Sequence, residues 1–100
     1  MSLDPQILHR LKTVKDPELG IDIVSLGLIY QAEFTKDAQI RVQMTLTSPG
    51  CPLAGVIDQM IRDAVFDLVH DPADVQISIV FDPPWTPDMM SEEARLMTQL

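Results

Sequence analysis

The sequence predicts an α/β (α+β) domain, a two-layer sandwich whose elements run helix, strand, strand, helix, strand, helix. Three observations carry that expectation. Leu28 to Phe34 and Ile40 to Leu46 alternate apolar with other residues at the period of two of a half-buried strand. The polar stretch between them, Thr35 to Gln39, has the length of a hairpin loop. A third alternating run, Val75 to Phe81, follows a segment of helical period, so helices are available to cover one face of a small sheet.

The elements follow in order. Asp4 suits an N-cap and Pro5 the first helical position, and Ile7, Leu8, Leu11 and Val14 recur at helical spacing. This helix is expected to stop before Asp16-Pro17, because a residue preceding proline avoids the α region. Asp16-Pro17-Glu18-Leu19-Gly20 reads as a turn-rich loop, and Ile21 to Gly27 as a segment holding a short extended piece. In the first strand Leu28, Tyr30, Ala32 and Phe34 share a face. In the second, Ile40, Val42, Met44 and Leu46 face the core, with Arg41, Gln43, Thr45 and Thr47 opposite.

Thr47-Ser48-Pro49-Gly50-Cys51-Pro52 breaks the second strand. The helix after it carries an apolar stripe of Val56, Ile57, Met60, Ile61, Ala64, Val65, Leu68 and Val69, ended by Asp71-Pro72. The pairing partner and direction of the third strand are left open by the sequence. Asp82 to Pro87 is a stiff extended segment, since proline fixes φ. Ser91 caps the last helix, with Glu92 and Glu93 in its first turn.

The 100 residues correspond to one domain spanning 1–100. A formal net charge of −8 sets the surface against phosphate backbones and anionic lipids, which argues against nucleic-acid and membrane partners. The single cysteine closes no internal disulfide. There is no apolar leader at the N-terminus and no run long enough to span a bilayer, so a cytoplasmic location is expected.

Cys51 is the foremost candidate for chemistry. With Pro52 as the first helical residue, Cys51 falls at the N-cap, where free N–H groups stabilise a thiolate. Its pKa is expected below the free value of about 8.5, in the form that binds soft metals and attacks electrophiles. Asp16 and Glu18 flank a proline on one loop. Thr45 and Thr47 share a strand face and lead into the cysteine turn. On spacing alone, a packed cysteine, a solvated acidic turn and a polar strand face account for these residues as well. Trp85, among prolines, reads either as an exposed anchor for another protein or as a lid over one end of the core. His9 and His70 sit in no ligand spacing with Cys51 and read as structural, His70 at a helix C-terminus. No Walker A, GxGxxG, HExxH or CxxC pattern occurs.

Four separated motifs resemble one family. Asp16-Pro17-Glu18-Leu19-Gly20, Val24 to Tyr30, Met44 to Pro52, and Asp82 to Pro87 with Met90-Ser91 are similar to the SufT/PaaD-like iron–sulfur assembly factors, relatives of the eukaryotic cytosolic iron–sulfur targeting factor. The resemblance covers nearly the whole chain. It implies the iron–sulfur cluster assembly domain fold and a non-enzymatic role in maturing or delivering clusters to client proteins. It also implies one surface site gathering Cys51, Thr45, Thr47, Asp16 and Glu18, with Cys51 as the metal ligand. One thiolate cannot supply four cluster ligands. The expected cofactor is therefore a transient cluster or iron shared with a partner and not stably held by the monomer. Expected partners are the assembly machinery and client apoproteins, with a homodimer as one means of sharing. A rival expectation is an adaptor that docks partners through the Asp16–Glu18 loop and Trp85, including in assembly of a multicomponent oxygenase. A thiol enzyme with Cys51 as nucleophile and Asp16 or Glu18 as base is disfavoured, because no histidine is placed to activate the thiol.

Overall fold

The computed structural model describes residues 3–16, 19–46 and 54–98. The regular elements are α1 (Pro5–Leu11), β1 (Ile29–Phe34), β2 (Ile40–Met44), α2 (Ala54–Ala64), β3 (Val75–Ile79) and α3 (Glu92–Thr98), in the expected order. The Asp4 carboxylate caps α1 by accepting the N–H groups of Gln6 and Ile7 at 2.9 and 3.3 Å. The helix is shorter than its periodicity suggests. Past Leu11 the N–H of Val14 returns to the carbonyl of Leu11, which keeps Val14 buried outside the helix.

The segment Ile21 to Gly27 holds one short extended piece, an antiparallel bridge of Asp22 to Lys15, and from Ile23 it is a succession of turns. The Asp22 carboxylate accepts the N–H of Ser25, and its carbonyl accepts that of Leu26, so side chain and main chain both close the turn. Gly27 ends it at φ +77°. The turns bury Leu26 together with Ile21 and Ile23, whereas an extended chain would place Leu26 on the opposite face.

β1 and β2 form the expected antiparallel hairpin, with Phe34 opposite Ile40 and Ile29 opposite Met44. An irregularity between Ile29 and Gln31 breaks the alternation, and Ile29 and Tyr30 are both buried. Phe34, expected on the buried face, is instead 36% exposed at the end of the hairpin.

β2 is the central strand, and β3 lies parallel to it, with Ile40 opposite Val75 and Met44 opposite Ile79. A parallel pair needs a long crossover, and the stretch from Thr45 to Asp74, which contains α2, provides it. The helix turns its Ile57 and Ile61, and Val65 just past its end, into the core against Ile40, Val42 and Met44, together with Ile7 and Leu11 of α1. Arg41, Gln76 and Ser78 stay exposed, giving the two-layer arrangement. Two sequence expectations for this helix fail. Val56 is 49% exposed, off the buried stripe. The α-helix stops at Ala64 and tightens into a 3-10 turn over Phe66–Leu68, so exposed His70 lies beyond it and caps no helix end.

Candidate functional site

Thr45 follows directly on β2. Its N–H donates to the carbonyl of Leu28 at 2.9 Å, which extends the hairpin ladder past the last assigned pair. The residue was expected on the polar sheet face with Arg41 and Gln43. Arg41 is exposed there, but Thr45 is only 1% exposed. Its hydroxyl Oγ1 is buried without a hydrogen-bond partner among the described residues. A buried hydroxyl left unpaired costs about 1–3 kcal/mol, and such orphans in native folds call for a functional or ligand explanation.

Asp16 sits at the base of the acidic loop, 9% exposed. Its N–H donates to the carbonyl of Ile21 at 2.9 Å, and its carbonyl accepts the N–H of Gly20 at 2.8 Å. The carboxylate Oδ1 accepts the N–H of Leu19 at 3.2 Å. Gly20, at φ +70°, takes the left-handed turn that returns the chain to Ile21. Asp16 therefore organises the loop that carries Glu18 in sequence.

The two strand-and-loop regions are joined by main-chain bonds. Thr45 bonds to Leu28, Leu28 N–H to the Ile23 carbonyl at 3.1 Å, and Ile23 N–H to the Val14 carbonyl at 3.0 Å, two residues before Asp16. The end of β2 and the start of the acidic loop are thus successive members of one hydrogen-bonded relay. Cys51, Thr47 and Glu18 lie outside the described residues, as does the expected N-cap at Cys51. Among the described residues, no three His, Cys, Asp or Glu side chains are grouped to hold a metal ion. No helix among them is long and apolar enough to cross a membrane.

Of the two readings of Trp85, the structure takes the lid. The indole is half-buried against the core, and its Nε1–H donates to the carbonyl of Leu26 at 2.8 Å. Docking through a freely exposed Trp85 is not supported by this arrangement. The sequence reading passed over Tyr30 and Gly27 as positioning residues. The buried Tyr30 hydroxyl donates to the carbonyl of Pro83 at 2.8 Å, tying β1 to the proline segment. The signal was available: an aromatic with a polar tip on a core-facing strand position needs a partner for that tip. Gly27 receives the backbone of Met89 so closely that an added Cβ would stand 2.2 Å from the Met89 carbonyl oxygen. Nothing local in the sequence marks that contact. A pocket of about 220 Å³ lies between the acidic loop and α3, lined among others by Lys15, Gly20, Asp22, Ser25 and Glu93.

The family model described as "Iron-sulfur cluster assembly protein" matches residues 4–79. The chain is 44% identical over 95 residues to the Fe-S protein maturation auxiliary factor YitW of Bacillus subtilis, covering 95% of this chain and 92% of that protein. It is 43% identical over 83 residues to the Fe-S protein maturation auxiliary factor SufT of Staphylococcus aureus, covering 83% and 93% of the two chains. Among solved structures, a domain of unknown function DUF59 from Bacillus anthracis superposes with a TM-score of 0.83 at 34% identity, covering 91% of this chain and 86% of that one.

Proposed function

The chain belongs to the SufT/PaaD-like family of iron–sulfur cluster assembly proteins, and we propose that within this accessory role Cys51 is the group that handles the cargo. The family acts as an auxiliary to cluster maturation, not as an enzyme. In the proposed reading the Cys51 thiolate takes iron or a cluster transiently in the cytoplasm and passes it to a client apoprotein. Thr45 and Thr47 supply hydroxyls, and Asp16 and Glu18 supply carboxylate acceptors, around the same site. A single thiolate leaves most ligand positions to others, so the cargo is shared with a partner, a second copy or a small thiol throughout.

The observation that carries this reading is the buried Thr45 hydroxyl, unpaired among the described residues and directly after β2, six positions before Cys51 in sequence. Selection for stability alone favours valine at such a position, because valine has the same shape and no polar atom to desolvate. A hydroxyl kept there fits a partner that arrives from outside the chain. The acidic loop, linked to the same strand end through Leu28, Ile23 and Val14, fits the carboxylate half of the site.

The test is anaerobic loading of the full chain with ferrous iron and sulfide in the presence of a small thiol, followed by Mössbauer spectroscopy and by transfer to an apoprotein. Wild type is expected to acquire thiolate-ligated iron and to accelerate transfer, and Cys51→Ser to do neither. Equal iron spectra and equal transfer for the two proteins would overturn the ligand role.

A further inference from the structure

The sheet has two edges, and they differ. The β1 edge is occupied: Leu3 bridges Ala32 in parallel, and the Asp4 N–H donates to the Ala32 carbonyl at 2.8 Å. β3 forms the other edge. The N–H of Val80 donates to the carbonyl of Met44 at 2.8 Å, which sets the parity of the strand. Gln76, Ser78 and Val80 point their main-chain groups at β2, and Val75, Ile77 and Ile79 point theirs outward. The Val75 carbonyl accepts from the Arg62 guanidinium at 2.7 Å. No comparable capping bond is formed by the outward groups of Ile77 and Ile79 among the described residues.

The apolar layer is unfinished on the same side. Ile40, Val42 and Met44 of β2 are wholly buried, whereas their partners Ile77 and Ile79 are only partly so and Phe81 beyond them is exposed. From Val75 to Phe81 there is no charge, proline or glycine, so the strand lacks the usual devices that blunt an edge. Carboxylates flank the strand in sequence, Asp71 and Asp74 before it and Asp82 after it, while the Arg62 guanidinium stands at the Val75 carbonyl. Between Arg62 and Arg95 the sequence holds eight acidic residues and no lysine or arginine. That segment alone accounts for the whole net charge of −8, the rest of the chain having seven of each sign.

We propose that the β3 edge receives an extended segment of another protein, a short uncharged strand with alternate apolar residues and lysine or arginine on its flanks. Main-chain bonds to Ile77 and Ile79 would give the affinity, apolar side chains beside Ile77, Ile79 and Phe81 the fit, and the surrounding carboxylates the selection of basic flanks. A second copy is disfavoured by the same charges. Antiparallel self-pairing centred on Ile77 sets Asp82 of each copy opposite position 72, next to Asp71, and joins two segments of eight negative charges. This inference stands apart from the Cys51 reading, and its test loads no iron.

The probe is the peptide Lys-Lys-Thr-Val-Thr-Val-Thr-Lys-Lys, titrated into the isotope-labelled full chain at low salt and followed by amide NMR and hydrogen exchange. Three comparison peptides complete it: one with glutamate flanks, and two N-methylated on either alternate set of strand residues. The Ile77 and Ile79 amides should shift and gain protection, while those of Gln76, Ser78 and Val80 are protected throughout. Basic flanks should bind roughly fivefold tighter than acidic ones, a margin that shrinks with salt and with Asp74→Lys. One N-methylated set should abolish binding and the other should not. The proposal is overturned by unmoved Ile77 and Ile79 amides at millimolar peptide, by equal affinity for both flanks, or by indifference to N-methylation. It is also overturned if the free chain protects the same amides as its own concentration rises, since the occupant is then a second copy.

Discussion

The Nε1–H of Trp85 donates to the carbonyl of Leu26 at 2.8 Å, and this bond fastens the proline-rich segment after β3 to the turn before β1. Leu26 is wholly buried, so its carbonyl is remote from water. The same segment is held by Tyr30 to Pro83, and the Ser91 N–H donates to the Ser25 carbonyl at 2.8 Å. Three long-range bonds thus close the C-terminal part of the chain over one end of the core.

Trp85→Phe keeps an aromatic body and removes the donor. The orphaned Leu26 carbonyl should lower unfolding free energy by about 1–2 kcal/mol. Urea denaturation followed by far-ultraviolet circular dichroism measures this, because Trp85 is the only tryptophan and its fluorescence disappears with the substitution. An unchanged midpoint would show that the bond contributes nothing net.

Gly27→Ala should be more damaging. The residue has φ +77°, and the new Cβ would stand 2.2 Å from the Met89 carbonyl oxygen and 2.6 Å from its carbon. Both atoms belong to the backbone, so no rotamer change relieves the clash. A loss of about 2–4 kcal/mol is expected, combining the left-handed penalty with displacement of the segment around Met89. Limited proteolysis after Arg95 should accelerate in parallel, since Met89 leads into α3.

Thr45→Val separates stability from function. Removing the unpaired buried hydroxyl while keeping the shape should raise unfolding free energy by about 1 kcal/mol. The same variant should transfer iron or cluster more slowly than wild type. A variant both more stable and equally active would mean that the hydroxyl serves no cargo.

Much of the fold was legible because it is written in local terms. The caps at Asp4 and Ser91 act over two or three residues, and both form as expected. The alternation at Ile40, Val42 and Met44 reports burial directly, since side-chain direction in a strand is set by parity. The misreadings fall where partners are distant or where turns compete. In Ile21 to Gly27 the extended piece is confined to the bridge of Asp22 with Lys15, because the Asp22 carboxylate closes a turn directly after it. Phe34 and Val56 carry the right hydrophobicity, but each sits at the edge of what the opposing layer covers. The family resemblance pointed to five site residues, of which the described structure holds Asp16 and Thr45.

By itself the sequence determined the element order, the buried face of β2 and the helix starts at Asp4 and Ser91, because periodicity and capping are properties of neighbouring residues. Its motifs also marked the family. Only the tertiary structure decided that β3 runs parallel to β2, that Trp85 folds onto Leu26 and that the Thr45 hydroxyl is buried with no partner among the described residues. Those outcomes depend on which segments meet after the chain has crossed over, and contacts between residues about 35 to 60 positions apart leave no local pattern to read.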